Sequence, residues 1–402
     1  MLEQKLNMKR LLESDEGWKR IKDGMLKGVT GGKRRETTAI ALENARKHML
    51  LQENAPVGYT ASTNVGKIAK VMLPLIRRVM PTVMAYDLVG VQPMDGPVGL
   101  IRTMRFVMAD TSPADGSGYV AGQEALAPYT FGCWYSGNES VTDPAGASTA
   151  KLEGVAGNRM QVEYLTQRVE AKTRRLSARY TLEAMQDSES QYGTNLESDI
   201  TTGLATQIVQ DIDQEIIKRL YSLAGIVRDT FDQNRVSGVA TSVVDEHAAL
   251  ATLINRYAND IGRRIREGAA NFAVCSHEVV SALQDAKASA FARTTSGDLE
   301  APTNNKAVGV LNGTLRVFVN TLTDDNTILI GYKGSDETKC AAIYCPYIPV
   351  VATPTMMDPN DFTYVMGMQT RYGWADFQNL STSLGNSGDF LAKIAVANLR
   401  FS

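Results

Sequence analysis

The chain has 402 residues, 44% hydrophobic and 21% charged, with a net charge of -2 and only 4 cysteines. This supports a sizeable core in two or three domains and excludes a disordered, collagenous or disulfide-framed protein. No apolar run reaches the roughly 18 residues of a membrane helix, and the N-terminus lacks the apolar centre of a secretory signal.

Residues 1–50 carry 12 Lys/Arg against 7 Asp/Glu, a net of +5, while the remainder, 30 against 37, nets -7. Such an arm is either a solvated segment or one that meets an acidic surface, whether scaffold protein, DNA or a neighbouring copy. Within it, Leu2, Leu6, Met8, Leu11 and Leu12 recur at helical spacing, followed by Trp18, Ile21 and Met25. Gly28, Gly31 and Gly32 break that helix, and a second is predicted over 37–52, with Ile40, Ala41, Ala45 and Met49 close together. Neither buries a core alone, so both read as an arm that packs on something else.

A loop follows at 56–64, then a short apolar helix over 65–80 kinked at Pro74. A strand is predicted over 86–91 and another over 100–108. In the second, Ile101, Thr103, Arg105 and Val107 face one way and Leu100, Arg102, Met104 and Phe106 the other. Residues 109–158 are rich in Gly, Ser, Ala, Asp and Pro, and a returning strand is predicted over 161–176. Some fifty loop-like residues between paired strands are unusual in a compact domain and indicate a functional extension. A two-stranded arm of this kind is marginal without a surface to lie on.

The strongest element spans 196–224. Leu196, Ile200, Leu204, Ile208, Ile212, Ile216 and Leu220 recur every fourth residue, and Glu197 and Asp199 lie in the first turn. Lys218 and Arg219 lie in the last, and Gly225 ends the helix. Each step of four advances the stripe by about 40°, so it winds and needs several packing partners. Beyond it, helices are predicted over 246–267 and 279–288. Strands are predicted over 271–275, near 308–319, over 327–331 and over 340–348; residues 353–374 are extended, and a final strand runs from 390. Helices mixed with strands, without strict alternation, make the fold class α+β.

Motifs for chemistry are absent or broken. Gly66-Lys67 lacks the first glycine and the final Ser/Thr of a phosphate loop, and the Gly116–Ala121 stretch is a dinucleotide fingerprint with no helix after it. His48, His247 and His277 are the only histidines; Cys275, Cys340 and Cys345 read as buried thiols rather than zinc ligands. The expectation is no enzyme, no cofactor and no metal, in a reducing compartment such as bacterial cytoplasm.

Three stretches resemble the major capsid proteins of T4-like tailed bacteriophages. They are Met72–Pro81 (MLPLIRRVMP) with Asp87–Met94 (DLVGVQPM), Val169–Ala178 (VEAKTRRLSA), and Tyr344–Tyr347 (YCPY) with Val365–Gly373 (VMGMQTRYG). The resemblance implies an α+β, HK97-like capsid subunit. Its parts would be an N-terminal arm over 1–60 and an extended loop over 98–175. A peripheral domain with the spine helix would cover 61–97 and 176–240, and an axial domain 241–402, with return strands to the peripheral domain.

The implied role is self-assembly into hexameric capsomers, with pentamers left open, of an icosahedral virion head enclosing double-stranded DNA. Scaffold, portal, decoration and maturation protease proteins are the further implied partners; no membrane is. A vertex-forming paralogue and an encapsulin-type nanocompartment shell share the fold and stand as alternatives. Candidate contacts between copies are Arg102, Arg105, Arg168, Glu170, Lys172, Arg174 and Arg175. The family's L/I-x-E maturation motif has candidates ending at Glu53 and at Glu13. The T4 relative is longer and carries an inserted domain for which this chain has no room.

Overall fold

The computed structural model describes residues 15–53, 76, 79, 83–109, 121, 122, 149, 153, 159–193, 196–236, 243–265, 268–285, 291–293, 306–320, 326–337, 339–353, 355–358, 361, 363–376 and 387–401. Residues 1–14, the loop at 56–64, nearly all of the apolar helix at 65–80, most of the extension at 109–158 and the motif at Glu13 lie outside the described residues.

The arm forms α1 (Asp15–Leu26) and α2 (Gly32–Glu53), turned by Gly28 and Gly31, both at positive φ. α2 starts five residues before the predicted boundary. Both helices pack on their own chain: Trp18, Ala41, Leu42 and Ala45 are buried with Ile348 and Val351. Asn44 is buried between them and donates to the carbonyls of Met94 (2.8 Å) and Tyr347 (2.9 Å).

Next come α3 (Ala85–Leu88) and β1 (Gly90–Val91). The predicted strand over 86–91 is helix over its first three residues and strand only at Gly90–Val91. Short apolar runs carry little period, and here the buried Asp213 carboxylate accepts the Met84 N–H at 2.9 Å, just before the helical turn. Among the described residues β2 (Val98–Met108) pairs only with β3 (Met160–Glu170), as a two-stranded ribbon. β4 (Lys172–Thr181) leaves it for another sheet. The single strand predicted over 161–176 is therefore two, divided at Ala171, whose N–H is taken by Pro97 O at 2.9 Å.

α4 (Leu182–Asp187) and a π-helical turn at Ser188–Tyr192 lead to the spine, α5 (Leu196–Leu223). The spine has 28 residues and ends before Gly225 at φ 67, as its sequence predicts. Then follow β5 (Asp229–Asp232), α6 (Gln233–Val236), α7 (Val243–Ile265), β6 (Phe272–Cys275), α8 (His277–Asp285) and β7 (Phe291–Arg293). β8 (Lys306–Leu311) and β9 (Leu315–Val319) form a hairpin where one strand is predicted. Asn312 and Gly313, at φ 54 and 73, are the turn, an Asn-Gly hairpin signal inside an apolar run. β10 (Thr327–Gly331), β11 (Ala342–Ala352), β12 (Met356–Met357), β13 (Thr363–Asp376) and β14 (Leu391–Ala397) complete the chain.

Two sheets organise these strands. In the five-stranded sheet β13 is central, with β4 along one edge and β11 and β12 sharing the other; β1 pairs with β11. The seven-stranded sheet runs β5-β14-β10-β6-β9-β8-β7. The spine buries Leu204, Ile208, Ile212, Ile216 and Leu220 against residues of both, including Tyr344, Met366 and Met368 of the first and Val274, Leu329 and Leu391 of the second. A second core lies between the seven-stranded sheet and α7 and α8, around Leu250, Ile254, Ile261, Val280 and Leu283. Among the described residues no helix is long and apolar enough to cross a membrane.

Candidate functional site: the ribbon and its base

Antiparallel pairing sets the two faces of the ribbon. Leu100 lies opposite Arg168, Arg102 opposite Thr166, Met104 opposite Tyr164, Phe106 opposite Val162, and Met108 opposite Met160. Side chains directly across share a face. The other face carries Ile101, Val107 and Val169, which are buried. The first face is open except at Met108, which is buried: Leu100 is 59% exposed, Met104 56%, Met160 58% and Tyr164 69%. Of the eleven large hydrophobic side chains exposed among the described residues, seven lie on these two strands. Scattered exposed apolar residues are ordinary, but a cluster this concentrated marks an interaction surface.

The base of the ribbon is fixed twice. Ile101, Val169 and Ala171 are buried with Met94, Ile343, Cys345 and Ala375. Val169 lies so close over Gly373 that a β-carbon there would come within 2.5 Å of Val169 Cγ1. Gly373 thus permits β3 to cross the centre of the sheet.

The second fixture is polar. Along β4, Arg174, Leu176, Ala178 and Tyr180 alternate toward the core. Arg174 reaches Glu215 of the spine at 2.5 Å, and its guanidinium lies 3.7 Å from the centre of the Tyr372 ring. Arg219, one turn on, donates to the same carboxylate at 2.7 Å, and the Tyr372 hydroxyl donates to its other oxygen. Burial raises the Glu215 pKa, but the bonds from Tyr372, Arg219 and Arg174 outweigh it and hold the carboxyl below its ordinary value. Burial, with Glu215, pushes the Tyr372 phenol up. Two residues earlier on the spine, burial pushes the Asp213 carboxyl up to about 7.

The seven predicted contact residues divide between these two places. Arg102 is exposed on the open face, and Arg168 and Glu170, also exposed, pair with each other at 2.7 Å. Arg105 stands across from Glu163 in the register. Lys172 and Arg175 are exposed on β4, across from Tyr372 and Gln369. Arg174 is half-buried and bound within the chain, so its charge belongs to the base. Glu215, Arg219 and Tyr372, which complete that base, escaped the sequence reading, because Glu215 looks like any polar residue between stripe positions.

The remaining chemistry-bearing groups are structural. Cys275, Cys340 and Cys345 are free and buried, and burial pushes their thiols up to about 12, 11 and 12. His247 is buried between the Asp285 carboxylate (3.2 Å) and the Arg400 carbonyl (3.0 Å), tying the C-terminal residues to α7. Among the described residues no three His, Cys, Asp or Glu side chains gather to hold a metal.

Two sheets are joined under one spine, and an apolar ribbon face is left open, a surface that suits a partner. Helices and strands mixed without strict alternation make the fold α+β. Residues 65–396 match the family described as Major capsid protein Gp23, and the chain belongs to that family. It is 28% identical over 424 residues to the major capsid protein of Vibrio phage KVP40, covering 83% of this chain and 81% of that protein. With the major capsid protein of Enterobacteria phage T4 the identity is 25% over 404 residues, covering 80% and 77%. Among solved structures, one from Microbacterium phage Oxtober96 aligns with a TM-score of 0.45 at 12% identity, over 78% of this chain and 91% of that one.

The Glu215 fixture gives a pH dependence of definite sign. A carboxyl held below its ordinary value stabilises the fold above the ordinary carboxylate range and loses that effect as pH falls through the depressed value. Tyr372→Phe should lower the stability of the unassembled chain by about 1–3 kcal/mol, since it removes a hydrogen bond to a charged group. Chemical unfolding of wild type and Glu215→Gln from pH 7 to below about pH 4 checks the sign. The difference between them should shrink on acidification, and a constant difference would contradict it.

Proposed function

We propose that this capsid protein closes hexameric capsomers of an icosahedral phage head around double-stranded DNA by laying the open face of its ribbon on the next copy. The observation that carries the reading is the apolar cluster of Leu100, Met104, Phe106, Val162 and Tyr164, left in water by the chain's own fold. Covering it would supply the affinity, roughly 25 cal/mol for each Å² of apolar surface buried at every contact. Arg102, Arg105, Arg168, Glu170, Lys172 and Arg175 would set the register, since exposed ion pairs contribute only about 0–1 kcal/mol each. Residues 98–175 then act as the extended loop. Residues 61–97 and 176–240, with the spine, act as the peripheral domain, and 241–402 as the axial domain with return strands to the peripheral domain. Scaffold, portal, decoration and maturation protease proteins would join assembly in the host bacterial cytoplasm.

Single charges on the open face test the reading. Met104→Asp and Tyr164→Asp should abolish shells in electron micrographs while circular dichroism and thermal melting of the chain stay unchanged. Regular shells from either variant would overturn it.

Maturation cleavage after Glu53 is proposed with it. The motif ends at the last residue of α2, and cutting there would sever the covalent link between both arm helices and the rest of the chain, leaving only their packing on β11. Mass spectrometry of mature heads should find chains that begin at Asn54. Intact chains would end the proposal.

A further inference from the structure

The C-terminal end of α7 carries a second charged surface, remote in sequence from the ribbon. Arg256, Arg263 and Arg264 on its last turns, and Arg228 just before β5, line an open pocket of about 520 Å³. Asp260, on the same helix, is the carboxylate within it, and both Arg263 (2.9 Å) and Arg264 bind it. Asp229, beside Arg228, accepts the Tyr257 hydroxyl at 3.1 Å. Arg228 and Arg256 have no carboxylate partner among the described residues; Arg256 lies 5.9 Å from the centre of the Tyr257 ring. The Nη1 of Arg264 is buried without a hydrogen-bond partner among the described residues.

The helix end offsets part of this charge, because α7 terminates in unpaired carbonyls that favour cations. It does not explain four guanidiniums converging in a chain whose net charge is -2. Nor does packing, since Arg228 and Arg256 are exposed. The cluster is arginine throughout, and guanidinium forks fit the oxygens of phosphate in pairs where lysine offers a point charge. The pocket has the volume of a nucleotide-sized group rather than of one carboxylate.

We propose that this arginine pocket binds backbone phosphates of nucleic acid. Binding of this kind fixes position and carries no base sequence. The site rests on the reading of the chain as a DNA-enclosing shell only for its biological setting, since the binding itself is measured without assembly.

The test is fluorescence anisotropy of a labelled 12-base-pair DNA duplex with the full-length chain, across a salt series. The probe for the rival class is polyglutamate of matched charge. Arg228→Gln/Arg256→Gln removes no ion pair, so its thermal melt and its shells should match wild type. Its slope of log affinity against log salt should be shallower by about two, one for each guanidinium withdrawn from a phosphate. Arg228→Lys/Arg256→Lys should keep most of the slope. An unchanged slope in the folded Gln variant overturns the site. Polyglutamate bound as tightly as DNA, and released by the same substitutions, overturns the assignment to nucleic acid in favour of an acidic protein surface. Because shells are scored separately, failure of the pocket is distinguishable from failure of the ribbon.

Discussion

The fold depends on covering the spine. A 28-residue helix is about 42 Å long, and its apolar residues advance around it by about 40° with each step of four. No single flat surface follows such a stripe. The solution is to let different elements take successive turns of one helix: strands of the five-stranded sheet, strands of the seven-stranded sheet and the α3 segment all bury residues against it. Two sheets that share no strand are thereby joined through one core.

That arrangement dictates the state of the ribbon. The strand that covers the spine, β4, is continuous in sequence with β3, so the ribbon starts where the sheet edge stops. Gly373 gives β3 room to cross, and Glu215 ties β4, β13 and the spine together through Arg174, Tyr372 and Arg219. A fixed base and an uncovered apolar face are what an assembling subunit needs. The base holds the direction in which the surface is presented, so less order has to be imposed when copies meet. The arm helices use the opposite device, packing on β11 through Trp18 and Leu42 within their own chain.

Much of this was legible in the sequence, and the failures have definite causes. The spine and β2 were readable because their periods, four and two, run over many residues. The same alternation placed Leu100, Met104 and Phe106 on one face. The run over 86–91 misled because six apolar-rich residues carry no period, and the carboxylate that holds Met84 ahead of the helical turn comes from Asp213, over a hundred residues away. The hairpin at 312–313 was missed although Asn-Gly is its ordinary signal, because the mostly apolar residues on both sides read as one strand. Arg174 was grouped with the residues that meet other copies because nothing local distinguishes it from Lys172 and Arg175. Only pairing of β4 with β13, and packing of that pair on the spine, brings it to Glu215.

Hydrogen exchange at residues 98–108 and 160–170, compared between assembled shells and the unassembled chain, reaches the central claim most directly. If the open face of the ribbon is the surface that joins copies, backbone amides of both strands gain protection on assembly, while those of the spine, already covered, change little. Equal exchange of the ribbon in the two states would contradict it.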